Sequence, residues 1–229
     1  MFNHIGHFAA AGEGLCKALF FAGVTRRFPT LRFGFLEGGT AWACTLFDDI
    51  VGHWQKRNEA TLKRTLNPAN MDLQRMAALF NEYGGRLTAG REDQLAELLG
   101  NMTHHLEDLD KVDDFRACAI GEQADINELF VPRFYFGCEA DDPSKVWAFK
   151  GKTRLQAIFS SDIGHWDVPD IRECLEEAYE LVEHGDLTER DFEDFVCTNP
   201  VTLHGGMNRD FFKGTSVESQ AAKILADKF

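Results

Sequence analysis

The sequence predicts an α/β fold, read as about the last three β/α units of a (β/α)8 barrel, with a helical insertion between two of its strands. Three observations carry this. Three short apolar segments rich in Phe, Tyr and Ile each run into a carboxylate: Leu31–Leu36 into Glu37, Phe134–Cys138 into Glu139, and Leu155–Phe159 into Asp162. Helical apolar spacing flanks the first and follows the third, which is the α/β rhythm. Only three such strands are credible, whereas a closed parallel barrel needs eight, usually in ~250 residues.

Taken in order, residues 8 to 23 place Phe8, Leu15, Leu19 and Phe20 among small residues, and Gly23 closes a buried helix. Arg26-Arg27-Phe28-Pro29 is expected to be a loop, because proline blocks further helix. The first strand ends at Glu37-Gly38-Gly39, where two glycines permit a sharp turn and close approach of a ligand. Thr40 is placed to cap the next helix, which carries Trp42, Leu46, Ile50 and Trp54.

Residues 57–130 break the rhythm. Short amphipathic patterns (Leu73, Met76, Phe80; Leu95, Leu98, Leu99) lie between glycines, with acids dense from Glu107 to Asp114. They predict an insertion of short helices that could cover a site, too apolar for a disordered linker. After the second strand, Asp141-Asp142-Pro143 turns the chain. After the third, Pro169 and Asp170 open a helix with Ile171, Leu175, Ala178 and Val182 on one face. Thr188 and Asp191 form a capping box for a last helix with Phe192, Phe195 and Val196. The whole, residues 1–229, reads as one barrel-type domain. Because Met1–His7 leads almost directly into a helix, the chain is expected to enter its fold midway, as a truncated form would.

A net charge of −13 with scattered Lys and Arg excludes nucleic acid as a partner, since that field repels a polyanion. No run of ~18 apolar residues is present to span a bilayer. Six cysteines without a Cys-x-x-Cys pair, and no leader pattern, point to a reduced cytoplasmic protein.

The strongest chemistry lies in Ser161-Asp162-Ile163-Gly164-His165-Trp166-Asp167. Parallel-barrel enzymes work at C-terminal strand ends, and a carboxylate there can hold a divalent cation. Asp162 is the candidate metal ligand and catalytic residue; alone it would equally suit a turn or a helix cap. Glu37 is the candidate base or proton shuttle, its bland alternative being an exposed acid before Gly-Gly. Glu139 holds the matching place on the middle strand, and His165 and Trp166 would line the substrate mouth. Three carboxylates in one pocket repel, so a cation or protonation must balance them. His4 and His7 suit a polar loop better than ligation, and His53 and His104-His105 suit the surface. His184 suits a helix C-terminus, and His204 before Gly205-Gly206 a terminating turn. Ser161, His165 and Asp167 lie too close in sequence for a hydrolase triad, and no dinucleotide or P-loop fingerprint is present.

At these residues the sequence resembles the amidohydrolase-related family, which includes aminocarboxymuconate-semialdehyde decarboxylase and related decarboxylases and hydrolases. Phe28-Pro29, Leu31-Arg32, Phe35 and Glu37-Gly38-Gly39 resemble its sixth strand and lead-in, and Phe134-Tyr135-Phe136 its seventh. Ile158–Asp162 with His165-Trp166-Asp167 resembles its eighth, and Thr198-Asn199-Pro200 and Leu203 its closing segment. The matches cover most of 1–56 and 130–210. The resemblance implies one divalent metal, commonly zinc, with Asp162 as the ligand from the eighth strand, and a small organic substrate. The family's other ligands, a His-x-His or Glu-x-His pair and a histidine after the fifth strand, have no counterpart. Many decarboxylating members carry a catalytic histidine where Glu37 stands, so hydrolysis ranks above decarboxylation. The remaining alternative is a non-catalytic half-barrel that needs a partner chain or pairs with itself through open strand edges.

Overall fold

A computed structural model describes residues 5–102, 113–168 and 170–229. His4, His104-His105, the acids from Glu107 to Asp110 and Pro169, all singled out above, lie outside the described residues. The fold is mixed α/β, mostly helical, around one three-stranded parallel sheet. β1 (Phe33–Phe35), β2 (Phe134–Cys138) and β3 (Gln156–Phe159) lie in sequence order. Phe33 pairs with Phe134, and Tyr135 with Gln156. Among the described residues no further strand joins the sheet, and barrel closure is not seen.

Side chains alternate across a strand, so the sheet has two distinct faces. One carries Phe33, Phe35, Phe134, Phe136, Cys138, Ala157 and Phe159, and receives the helices. α1 (His7–Phe21) brings Cys16 and Phe20, and α3 (Ala41–Arg57) brings Ala43, Leu46, Phe47 and Ile50. α8 (Gln123–Phe130) adds Ile126, Leu129 and Phe130, and α9 (Lys145–Lys150) adds Ala148 and Phe149. Phe130 sits at the centre, its ring 4.9 Å from Phe134, 5.2 Å from Phe47 and 5.9 Å from Phe20. The other face carries Gly34, Tyr135, Gly137 and Ile158, and Leu203 of α12 (Asn199–Met207) packs there.

α2 (Val24–Arg27) turns the segment expected to be a loop into one helical turn. Thr40 does precede α3, but its hydroxyl donates to the Ser144 carbonyl at 2.6 Å and accepts no backbone N–H from the helix. It therefore ties the β1 loop to the β2 loop.

The 57–130 segment is helical where described. α4 (Glu59–Thr61) runs into a π-turn at Leu62–Leu66, followed by α5 (Leu73–Tyr83), α6 (Glu92–Met102) and α7 (Asp114–Ala117). None of its described residues lines the cleft below, so this part does not cover it. α8, at its end, belongs to the sheet's own core.

α10 (Cys174–Glu183) begins later than expected, with 171–173 in a turn. Ile171 and Leu175 are consequently 57% and 54% exposed, and Cys174 and Ala178 form the buried face. α11 (Glu189–Glu193) starts with the expected capping box: Thr188 Oγ1 accepts from Asp191 N, and Asp191 accepts from Thr188 N. A π-turn over Asp194–Thr198 leads into α12, so His204 lies inside a helix and not in a terminating turn. α13 (Glu218–Lys228), absent from the sequence reading, packs Ala221 and Leu225 on Val201. No helix among the described residues is long and apolar enough to cross a membrane.

Candidate metal and substrate cleft

Parallel strands present the same end to the same side, so the acids after β1, β2 and β3 converge. Glu37, Glu139 and Asp162 line one cleft of about 670 Å³, with Asp142, Ser144, His165, Trp166, Asp167 and the start of α1 around them. The structure thus brings together every site residue expected from sequence. It adds His7, placed above in a polar loop, and Asp142, read above as a turn residue. The run Glu139-Ala140-Asp141-Asp142 was the available signal for the latter. A smaller pocket of about 290 Å³ shares Glu139, Asp162 and Asp167 and extends to Asp141, Asp170, Glu173 and Glu177.

Backbone strain concentrates here. Among the described non-glycine residues, only Glu37 (φ 58°), Asp162 (φ 53°) and Ala119 have positive φ. Left-handed geometry costs an ordinary residue roughly 1–2 kcal/mol. Two of the three such residues are the acids that end β1 and β3, the pattern of a strained functional turn. The turns are held from behind. Gly39 N donates to the Gly137 carbonyl, Thr40 N to Ser144 Oγ at 2.9 Å, and Ser144 N to Asp142 Oδ1 at 2.7 Å. Gly39 has φ +63°, and a Cβ there would lie 2.4 Å from Asp142 Oδ2, so a side chain would strain the backbone and displace that carboxylate. Lys145, fully buried behind this loop, donates from Nζ to the Ala140 carbonyl and sits 5.1 Å from the Phe195 ring centroid. Burial pushes its ammonium below the usual lysine range, while Cys138 and Asp142 pull the other way.

His165 Nδ1 lies 2.6 Å from Asp162 Oδ1. The hydrogen bond to Asp162, then that carboxylate's charge, lifts the imidazole above its ordinary value. Glu139, though largely exposed, also titrates high. Desolvation of its carboxyl comes first, followed by the charges of Asp141, Asp162, Asp142 and Asp167. Neighbouring carboxylates contribute to both shifts, after desolvation for Glu139 and after the hydrogen bond for His165.

Asp162, His165 and Asp167 each offer a ligand atom, all within 4.8 Å of one another. A tetrahedral zinc with ~2.0–2.2 Å bonds separates its ligand atoms by roughly 3.3–3.6 Å. The 2.6 Å Asp162–His165 contact is therefore a proton's spacing and must open by about 1 Å to admit a metal. His165 and Asp167 are exposed and can swing by that amount, so the donor set fits. Trp166 beside them is 92% exposed, an indole presented to solvent at the rim. Comparison with protein-family models, curated proteins and solved structures returns no match for this chain.

Proposed function

We propose that the cleft is the active site of a metal-dependent hydrolase acting on a small organic substrate. In this reading the sheet stands for the last three strands of an amidohydrolase-related (β/α)8 barrel. The observation that carries it is the convergence of Glu37, Glu139 and Asp162 from three adjacent parallel strands on one mouth, with His165 against Asp162.

Asp162, His165 and Asp167 would hold the metal, zinc being the fitting choice for a mixed N/O set. When bound, it supplies Lewis acidity and offsets the carboxylate charge. Glu37, on its strained turn across the cleft, takes the proton from an attacking water. Glu139, whose carboxyl titrates above the usual carboxylate range, is placed to share a proton with a substrate oxygen. Trp166 supplies an aromatic surface for the substrate's apolar part.

Decarboxylation by the same scaffold has less support. Among the described residues lining the cleft there is no Lys or Arg to receive a substrate carboxylate. The non-catalytic half-barrel has one observation in its favour: the outer edges of β1 and β3 have no strand partner among the described residues.

The test is zinc titration by calorimetry with parallel metal analysis, on the chain and on Asp162→Ala. One zinc per chain, weakened at least tenfold by the substitution, supports the reading. Stoichiometric zinc unaffected by it removes Asp162 as a ligand and the mechanism with it.

A further inference from the structure

At the opposite end of the sheet a second charged rim forms, and it is basic. Phe33 pairs with Phe134 and Tyr135 with Gln156, so the residues just before the strands, Arg32, Arg133 and Arg154, stand in one cross-strand row. Like charges directly opposed across a ladder destabilise it unless something neutralises them.

Arg154 is neutralised. Its guanidinium donates to Asp191 at 2.6 Å and to Asp194 at 3.0 Å. Arg32 and Arg133 are not. Among the described residues no carboxylate lies within 4.0 Å of either, although 37 of the chain's residues are Asp or Glu. Nor are they solvated surface arginines. Arg32 is only 7% exposed, and the Nε atoms of both are buried without a hydrogen-bond partner. A buried unpaired charge is normally paid for by a counter-ion or does not persist.

Arg32 is also held in a built seat. Gly206 lies so close that a Cβ there would fall 2.3 Å from Arg32 Cζ, and the Phe229 ring covers the group at 4.7 Å. Nη1 donates to the Thr30 carbonyl at 3.2 Å. Among the described residues Nη2 makes no hydrogen bond, and it is not among the buried unpartnered atoms as Nε is. Arg209 stacks on the same Phe229 ring at 4.6 Å, adding a third cation without a carboxylate. The charge of Arg32, after desolvation, holds Arg133 below the usual arginine range.

The geometry points to an oxyanion-binding site between Arg32 and Arg133, at the N-terminal edge of the sheet. Its ligand is a phosphate or carboxylate group, which could accept from the remaining Nη2 of Arg32 and from the Arg133 guanidinium. The site is independent of the cleft and stands whether or not the cleft binds metal.

The experiment is calorimetric titration of inorganic phosphate, and separately of acetate, into the whole chain at constant ionic strength. Two single variants accompany it: Arg133→Gln, and Lys152→Gln as a charge-matched control at an exposed site. Saturable 1:1 binding by ~10 mM is expected, weakened at least about tenfold by Arg133→Gln and not by Lys152→Gln. Tighter phosphate assigns the site to phosphoryl groups, and tighter acetate to carboxylates. Thermal melts without ligand separate binding from structure. Arg133→Gln removes a like-charge contact, so its Tm should hold or rise, whereas a purely structural arginine would lower it. Absence of saturable binding of either anion, equal loss in both variants, or a Tm fall in Arg133→Gln overturns the assignment.

Discussion

Gly39→Ala tests the loop junction that positions the cleft. Two costs combine. The left-handed backbone at φ +63° penalises alanine by roughly 1–2 kcal/mol. The new Cβ, 2.4 Å from Asp142 Oδ2 and 2.8 Å from Ser144 Oγ, also forces the Asp142 carboxylate away from Ser144 N. A charge-assisted hydrogen bond of that kind contributes about 1.5–3 kcal/mol. The sum is about 2.5–5 kcal/mol, or a Tm lowered by about 5–20 °C for a chain of this size. Gly185→Ala is the internal control. Gly185 has φ +79° just after α10, but nothing lies within 4 Å of its would-be Cβ. It should show only the backbone penalty, about 1–2 kcal/mol and 2–8 °C. Both variants would be melted by circular dichroism and titrated with urea. Equal losses in the two would refute the claimed clash, and with it the glycine's role in locking Asp142.

Two further outcomes follow from the charged pairs. Burial opposes ionisation of Asp191, but the Thr188 and Arg154 hydrogen bonds outweigh it and hold its carboxyl below the ordinary range. Its stabilisation is therefore present above the unfolded pKa and lost as pH falls through the folded one. Asp191→Ala should cost about 1–2 kcal/mol at neutral pH, from the lost cap and a half-exposed bridge, and the two urea-stability curves should converge in acid. For His165 in metal-free protein, the imidazole should titrate by NMR above the ordinary histidine value, because of Asp162. Asp162→Ala should bring the midpoint down. An unchanged midpoint would show that the 2.6 Å contact does not form in solution.

What the sequence disclosed and what it hid divide along local and non-local lines. The strands and their terminal acids were legible because apolar runs closed by a carboxylate need no partner to be recognised. Thr40 looked like a cap because capping is a local property; its actual acceptor, Ser144, lies 104 residues away. Gly205-Gly206 looked like a stop signal for the same reason. In the structure those glycines serve close approach: a Cβ on Gly205 would fall 2.5 Å from Leu225 Cδ1, and one on Gly206 against Arg32. On α10 the expected Ala178 and Val182 do face the core, but Ile171 lies in a non-helical turn, Leu175 is exposed, and Cys174 is buried in their place. α13 escaped notice because it buries little beyond Ala221 and Leu225 in a polar segment. The convergence of Glu37, Glu139 and Asp162 required only that the strands be parallel, whereas the basic rim required the register.

One pattern generates both rims. Each strand is preceded by an arginine and followed by an acid: Arg32 and Glu37, Arg133 and Glu139, Arg154 and Asp162. In an antiparallel sheet these would alternate along each edge and pair across it. In a parallel sheet all three arginines gather at one end and all three acids at the other. At about 3.3 Å per residue, the five residues from Arg32 to Glu37 span roughly 16 Å, nearly twice the Debye length of about 8 Å at physiological ionic strength. Neither rim can neutralise the other at that distance, so each needs counter-charges of its own. Arg154 finds them in Asp191 and Asp194, and Asp162 has the His165 imidazole 2.6 Å away. What remains uncompensated is the carboxylate excess in the cleft and the Arg32–Arg133 pair below it. In the readings proposed above, a cation on one side and an oxyanion on the other would supply those missing counter-charges.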